Sequence, residues 1–175
     1  MDKRRQANQQ VKEKITGALL HLLGEKSISE ITVTEIIAEA GVARASFYRN
    51  YATKESVITS LIADVLEDFR AGLPGDGEDF CTPENIRRSF AYFSRYAPQV
   101  LDMHRFGYGS ILLERLNQFH EEVAGTMPCS SLDRYRLYIY IGALYNTAMM
   151  WLQGGQKESV EEIAGLFWRM CAARE

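Results

Sequence analysis

The sequence predicts an all-α fold of nine helices, with three small helices followed by six larger ones. Apolar residues recur at helical spacing along most of the 175 residues. Two segments, beginning at Thr32 and Ser159, have the Ser/Thr-x-x-Glu form of a capping box. Since no segment shows the alternating pattern of a β-strand, we expect helices to form the core.

The first two helices are predicted from an apolar stripe and a cap. Residues 6–24 place apolar side chains at helical spacing, which indicates an amphipathic helix. Thr32 and Glu35 can bond each other's backbone amides and so begin the second helix. Gly41 ends it, because glycine accepts the left-handed conformation of a helix C-terminus.

The third predicted helix, residues 43–50, has an unusual composition for a segment of about two turns. Phe47 and part of Tyr51 are expected to face the core, while arginines and small polar residues face outward. Arginine can bond a guanine edge with two hydrogen bonds, and alanine can contact a thymine methyl. Three helices with a glycine turn before a polar third helix are typical of a helix-turn-helix that enters the major groove of DNA. The alternative is an ordinary three-helix bundle with a solvated polar face.

Six more helices follow the third predicted helix. Thr53 begins the first of them, which runs to about Ala71, and a loop rich in glycine spans 72–77. We expect a DNA-binding domain over residues 1–53 and a second helical domain over residues 54–175. The remaining helices are predicted at 83–96, 98–106, 109–124, from Ser130 or Ser131 to Leu152, and from Ser159 to about Ala173.

The net charge of −3 is unevenly distributed. Residues 1–56 carry a charge of +2, whereas residues 57–175 carry −5. Phosphate contacts need only a local basic face, so the acidic total does not exclude a nucleic-acid partner. Cys81, Cys129 and Cys171 are widely separated and are expected to be reduced thiols. The longest nearly apolar run is too short for a bilayer span, and we expect a cytoplasmic protein without a membrane partner.

The segment from Ile15 to Leu61 resembles the N-terminal domain of the TetR family of bacterial transcriptional regulators. The matching runs are TVTEIIAEAGV at 32–42, SFYRNY at 46–51, and Lys54-Glu55. The resemblance implies that Arg44 and Ala45 face bases. It also implies that Ser46, Tyr48 and Lys54 contact phosphates and that Thr32 and Thr34 touch the DNA backbone. The full predicted DNA-contact set is Thr32, Thr34, Ala43, Arg44, Ala45, Ser46, Tyr48, Arg49, Asn50 and Lys54.

Two positions depart from the family pattern. Ala43 stands where many members have serine, so one cap or phosphate contact is expected to be missing. Asn50 stands where another polar residue, often histidine, is common, and it is expected to bond a phosphate less firmly.

In this family the rest of the chain forms a helical domain that dimerises and often binds a small effector. Wide apolar stripes in the last two helices favour a dimer interface, although two buried core helices would give the same pattern. A dimer would place two reading heads on a palindromic DNA site. The predicted interface residues are Leu137, Ile141, Leu144, Ala148, Ile163, Phe167 and Met170. The predicted effector contacts are Phe93, His104, Tyr108, Tyr145 and Met149, all of which could equally be plain core.

Enzyme motifs fail on spacing. His120-Glu121 begins like a zinc-protease motif, but Ala124 stands where the second histidine ligand is required. Asp76 to Asp79 is too short for a calcium loop. We therefore expect neither a metal nor a cofactor. We expect a homodimeric DNA-binding regulator that acts as a repressor released by a small molecule, and a helical adaptor for a protein partner is the alternative.

Overall fold

The computed structural model describes residues 3–71, 81–125 and 131–172, and this part of the chain is all-helical. The predicted fold class is confirmed, and the predicted boundaries are met within three residues at each end. The helices are α1 Lys3–Leu23, α2 Val33–Ala40, α3 Arg44–Asn50, α4 Lys54–Ala71, α5 Pro83–Arg95, α6 Ala97–Arg105, α7 Gly109–Ala124, α8 Leu132–Gln153 and α9 Val160–Ala172.

The chain divides into two compact units, residues 1–64 and residues 65–175, so the division falls within α4. The functional division after Thr53 that the sequence suggests stays a prediction.

In the first unit, α1 packs against α2 and α3 around a continuous apolar core. Gly41 ends α2 with φ 60° and ψ 38°, the left-handed conformation predicted for it. Its amide donates to the carbonyl groups of the last turn of α2, so the turn into α3 is fixed by backbone bonds. The core side chains are Ile15, Ala18, Leu19, Leu22, Leu23, Ile31, Ile36, Phe47, Tyr51, Val57, Ile58 and Ile62.

Short polar side chains begin the later helices, as the sequence predicts. The Thr53 hydroxyl accepts from the Ser56 amide at 3.2 Å, and the Thr82 hydroxyl accepts from the Asn85 amide at the same distance. Ser131 caps α8 by accepting from the Arg134 amide. Each bond satisfies an amide that the helix itself leaves without a partner.

In the second unit, aromatic rings join three helices. The Phe90 ring of α5 meets the ring of Trp151 in α8 edge to face, with centroids 5.9 Å apart, and meets Phe167 in α9 at 5.7 Å. The Tyr140 ring of α8 also contacts Phe167, at 5.6 Å. Such edge-to-face pairs add to the stabilisation from apolar burial. The inward faces of α8 and α9 are thus packed together with α5 through these rings.

Several predictions fall outside the described residues. They concern the loop at 72–77, the rejected calcium loop at 76–79, Cys129, and the alternative cap Ser130. Cys81 and Cys171 are partly buried. Across the described ranges, no helix is long and apolar enough to cross a membrane.

Candidate nucleic-acid interface

Helix α3 is anchored by one fully buried side chain. Phe47 is 0% exposed, and its ring lies 5.4 Å from that of Tyr48 and 5.9 Å from that of Tyr51, measured between centroids. Because α3 has only seven residues, this single anchor fixes which side of the helix faces solvent. The other predicted contacts of α3 lie on that outward side, and Arg44, Ala45, Tyr48 and Arg49 are exposed.

Arg44 and Tyr48 form a pair on the outer surface of α3. The guanidinium carbon of Arg44 lies 5.4 Å from the centre of the Tyr48 ring, and its Nη2 is 3.4 Å from the Tyr48 hydroxyl. Residues four apart share one face of a helix, so the stacking follows from the spacing. The pair presents a cation and a phenol beside the small Ala45 side chain, a combination suited to base edges and phosphates.

The opposite flank of α3 carries Ser46 and Asn50, both half-buried. The Asn50 side-chain amide donates to the Ser46 carbonyl at 2.8 Å, which orients the amide along the helix. Ala43 is the N-cap residue, and within the described part of the chain no side chain caps α3. The absence of this cap agrees with the expectation drawn from the alanine at this position.

At the start of α2, the polar atoms of Thr32 are engaged in hydrogen bonds that cap the helix. Its hydroxyl accepts from the Glu35 amide at 3.2 Å, and the Glu35 carboxylate accepts from the Thr32 amide at 2.8 Å. The Lys26 ammonium bonds that carboxylate, and together with the Thr32 bonds it lowers the pKa of Glu35 to about 2. Thr34 is exposed. Of the two contacts predicted at this helix, Thr32 therefore caps the helix and Thr34 faces solvent.

Lys54 binds the loop between α1 and α2. Its ammonium donates to the carbonyls of Ile28 at 2.5 Å, Ile31 at 2.6 Å and Ser29 at 3.4 Å. An ammonium has three donors, so these three bonds can occupy all of them. The resemblance assigned Lys54 to phosphates, and the structure instead places it where it ties the loop to the start of α4.

The predicted dimer residues are mostly internal to the second unit. Six of the seven are 8% exposed or less, and Met170 is 73% exposed. The six buried ones are Leu137, Ile141, Leu144, Ala148, Ile163 and Phe167.

A different set of apolar side chains on α8 and α9 faces outward. Among the described residues, seven of the eight large hydrophobic side chains that are exposed belong to these two helices. The eighth is Tyr48 of α3. Of this set, the sequence had predicted only Met170 as an interface residue. The seven are Leu132, Tyr135, Tyr138, Ile139, Met150, Leu166 and Met170.

Four of the predicted effector contacts are buried, and His104 is exposed. His104 Nδ1 lies 3.4 Å from the Tyr145 hydroxyl, and both side chains pack against Gly109. A methyl group at Gly109 would lie 2.8 Å from that hydroxyl, so this corner is closely packed. Burial raises the pKa of the Tyr145 phenol. The remaining three, Phe93, Tyr108 and Met149, lie in the core of the second unit.

His120, from the rejected zinc motif, is a core residue. It is 3% exposed, and its Nδ1 lies 2.7 Å from the Leu116 carbonyl, to which it can donate. Burial lowers its pKa to about 4, so the imidazole is neutral at pH 7. Its role in this position is packing and one backbone hydrogen bond.

Comparison with known proteins finds similarity to bacterial regulators. Residues 15–61 match the model of the family described as bacterial regulatory proteins, tetR family. The uncharacterized HTH-type transcriptional regulator YvdT of Bacillus subtilis is 31% identical over 78 residues, which are 42% of this chain and 40% of that protein. YxbF, another uncharacterized HTH-type transcriptional regulator of Bacillus subtilis, is 45% identical over 67 residues, 38% of this chain and 16% of that protein. The chain thus matches less than half the length of these curated relatives.

Solved structures extend the likeness in fold over the whole chain. A TetR transcriptional regulator from Streptococcus agalactiae superposes with a TM-score of 0.67 at 21% identity, covering 95% of this chain and 96% of that one. Lin0861 from Listeria innocua superposes with a TM-score of 0.73 at 13% identity, covering 100% and 94%. At these identities the likeness establishes the fold. Residues 15–61 thus match the model of the tetR family of bacterial regulatory proteins, and the chain shares the fold of these solved structures.

Proposed function

We propose that the protein is a transcriptional regulator, not an enzyme, that binds duplex DNA through α3. The observation that carries the proposal is the outward face of α3, where Arg44 stacks on Tyr48 beside Ala45 while Phe47 anchors the helix. A buried anchor with exposed arginine, alanine and phenol is a surface suited to the major groove. Since bacterial DNA lies in the cytoplasm, the same proposal places the protein there.

The contacts within α3 divide by chemistry. Arg44 can reach a guanine edge, and Ala45 can contact a thymine methyl. Ser46, Tyr48 and Arg49 have donors that suit phosphate oxygens. Thr34 would reach the backbone from α2, whereas Thr32 and Lys54 act mainly by holding the helices in place, because their polar atoms are engaged within the first unit.

The protein is proposed to act as a homodimer through α8 and α9. The seven outward apolar side chains on these helices form the surface that a second copy would cover, since monomeric proteins rarely expose large contiguous apolar patches. An isologous pairing would place two copies of α3 on the same DNA. Two heads about one DNA turn, ~34 Å, or more apart would recognise a palindromic site.

Repression with release by a small molecule completes the proposal. An effector bound among α4 to α8 would shift α4 and change the separation of the two heads. A coupling of this kind is typically ~1–3 kcal/mol, enough to lower affinity for the operator five- to a hundredfold or so. The contacts proposed for the effector are those predicted from the sequence, with the exposed His104 beside Tyr145 as the polar end.

The test is selection of binding sites from random duplex DNA, followed by titration of the recovered operator and an unrelated duplex at several salt concentrations. We expect a palindromic consensus and an affinity that falls with salt, because each phosphate contact releases counterions. Arg44→Ala should cost roughly 1–3 kcal/mol on the operator and relax preference at one base pair. Binding that does not respond to salt would exclude the DNA proposal and leave the helical adaptor.

A further inference from the structure

A cleft of about 1160 Å³ lies between α1 and α3 in the first unit. One wall is the N-terminal half of α1, residues 4–13, and the other wall is formed by Ser46, Arg49 and Asn50 of α3. These three side chains are on the flank of α3 that turns away from the Arg44–Tyr48 pair. The cleft therefore shares Ser46, Arg49 and Asn50 with the predicted DNA contacts and extends that surface onto α1.

The N-terminal half of α1 contributes almost nothing to the core. Residues 4–10 are all exposed, and the first fully buried side chain of the helix is Ile15. At 1.5 Å per residue, the stretch from residue 3 to Ile15 extends the helix by ~18 Å beyond its packed portion. Packing does not explain this extension, because the side chains that would drive it are polar: Gln6, Asn8, Gln9 and Gln10.

Charge in the cleft is strongly positive. Its lining holds Arg4, Arg5, Lys12 and Arg49 against the single carboxylate of Glu13. Lys12 is partly offset by Asp64, whose carboxylate lies 3.7 Å from the ammonium. Three of the four cations that line the cleft are arginines, whose guanidinium groups can bond phosphate oxygens in a bidentate manner.

We propose that this cleft holds the sugar-phosphate backbone of one DNA strand beside the base pairs faced by α3. The inference rests on the proposed DNA binding and adds a second contact surface to it. In this arrangement Arg4 and Arg5 of α1 bind phosphates from one side of the strand and Arg49 from the other. The side-chain amides of the glutamines and asparagine of α1 supply neutral donors between these arginines. We call this set of arginines, Arg4, Arg5 and Arg49, the clamp. The clamp adds affinity for DNA and fixes the register of α3 on the duplex, and it carries no base preference of its own.

The test compares two double variants that remove the same charge. Arg4→Gln with Arg5→Gln empties one wall of the cleft of its arginines. Lys14→Gln with Lys157→Gln removes two exposed cations that do not line it. Each protein is titrated with the selected operator and with an unrelated duplex from low to moderate salt, after circular dichroism has shown the helical content of both variants.

For the cleft variant we expect the slope of log affinity against log salt to become shallower by about 3.6 for the proposed homodimer, since two phosphate contacts are lost in each protomer and each changes the slope by about 0.9. The loss should be equal on both duplexes, and site selection should return an unchanged consensus. The control variant should keep the wild-type slope. A cleft variant with the wild-type slope, while the wild type itself shows salt-dependent binding, would overturn the clamp and leave the proposed function standing. A wild type that binds neither duplex would remove both.

A footprint on the wild-type protein gives a readout that needs no variant. Hydroxyl-radical cleavage should show protected sugars on one strand just outside the base pairs that selection finds to be specified. Protection confined to those base pairs would exclude backbone contact by α1.

Discussion

Lys54→Met separates a structural role for this lysine from a phosphate contact. The substitution keeps an unbranched side chain as far as the ε position and removes the ammonium, and with it the three bonds to the loop carbonyls. Two of those bonds are 2.5 and 2.6 Å long, and the third, at 3.4 Å, is weak. The Ile28 carbonyl also accepts from the Ile31 amide, so it keeps one partner after the change.

The expected cost follows from these contacts. A hydrogen bond to a charged group contributes ~1.5–3 kcal/mol, and the half-buried position of Lys54 favours the lower part of that range. We expect the free energy of unfolding to fall by about 2–3 kcal/mol, with most of it from the Ile31 carbonyl. For a chain of this length that is a decrease in Tm of roughly 4–10 °C.

Urea and thermal unfolding, followed by circular dichroism at matched protein concentration, measure this loss, and Lys14→Met on the exposed face of α1 is the control. The salt dependence of DNA binding, measured below the melting range, should be nearly that of the wild type. The reasoning would be refuted if Lys54→Met were as stable as the wild type while the salt slope became shallower by about two, since that is the signature of one lost phosphate contact in each protomer of the proposed dimer.

Three further changes test other parts of the structure. Gly109→Ala should lower the free energy of unfolding by about 1 kcal/mol, because its methyl would lie 2.8 Å from the Tyr145 hydroxyl and 2.9 Å from His104 Nδ1; adding Tyr145→Phe should recover only part of the loss, because the contact with His104 remains, and a single variant more stable than the wild type would contradict this. The pKa of His120 is about 4 in the folded protein against 6.5 in the unfolded chain, so the unfolded chain binds the extra proton and the free energy of unfolding falls as pH drops from about 6.5 to 4. In urea titrations, His120→Gln should make the free energy of unfolding less dependent on pH over this range. An unchanged dependence would show that other groups cause it. Ile139→Asp should shift the protein to monomer in sedimentation velocity, whereas Gln118→Asp on α7 should not; a dimer that survives Ile139→Asp would exclude α8 as its centre.

Local chemistry made much of the first unit predictable. The Thr32–Glu35 box, the glycine at position 41 and the cap at Thr53 each depend on residues within a few positions of one another. For the same reason the missing side-chain cap at Ala43 was visible from the sequence. Phe47 could be identified as the anchor because it is the apolar residue that helical periodicity turns inward in α3.

Contacts distant in sequence were not predictable in this way. Lys54 bonds carbonyls 23 to 26 positions earlier, in a loop whose path the periodicity of the helices does not define. In α8, apolar side chains occur on nearly every face, so the pattern could not decide whether Ile141 or Ile139 points inward. The structure resolves this, with Ile141 at 1% exposure and Ile139 at 59%. The arginines at positions 4 and 5 were visible as charges, but their placement against α3 was not.

The stacking of Arg44 on Tyr48 affects the kinetics and the selectivity of DNA binding. An arginine side chain loses up to ~2 kcal/mol of rotamer entropy when it is fixed in one geometry. Here part of that ordering precedes any encounter with DNA, because the Tyr48 ring already restricts the guanidinium. A wrong base pair then meets a side chain with few alternative conformations to adopt. Mismatches should therefore shorten the lifetime of the complex more than they slow its formation.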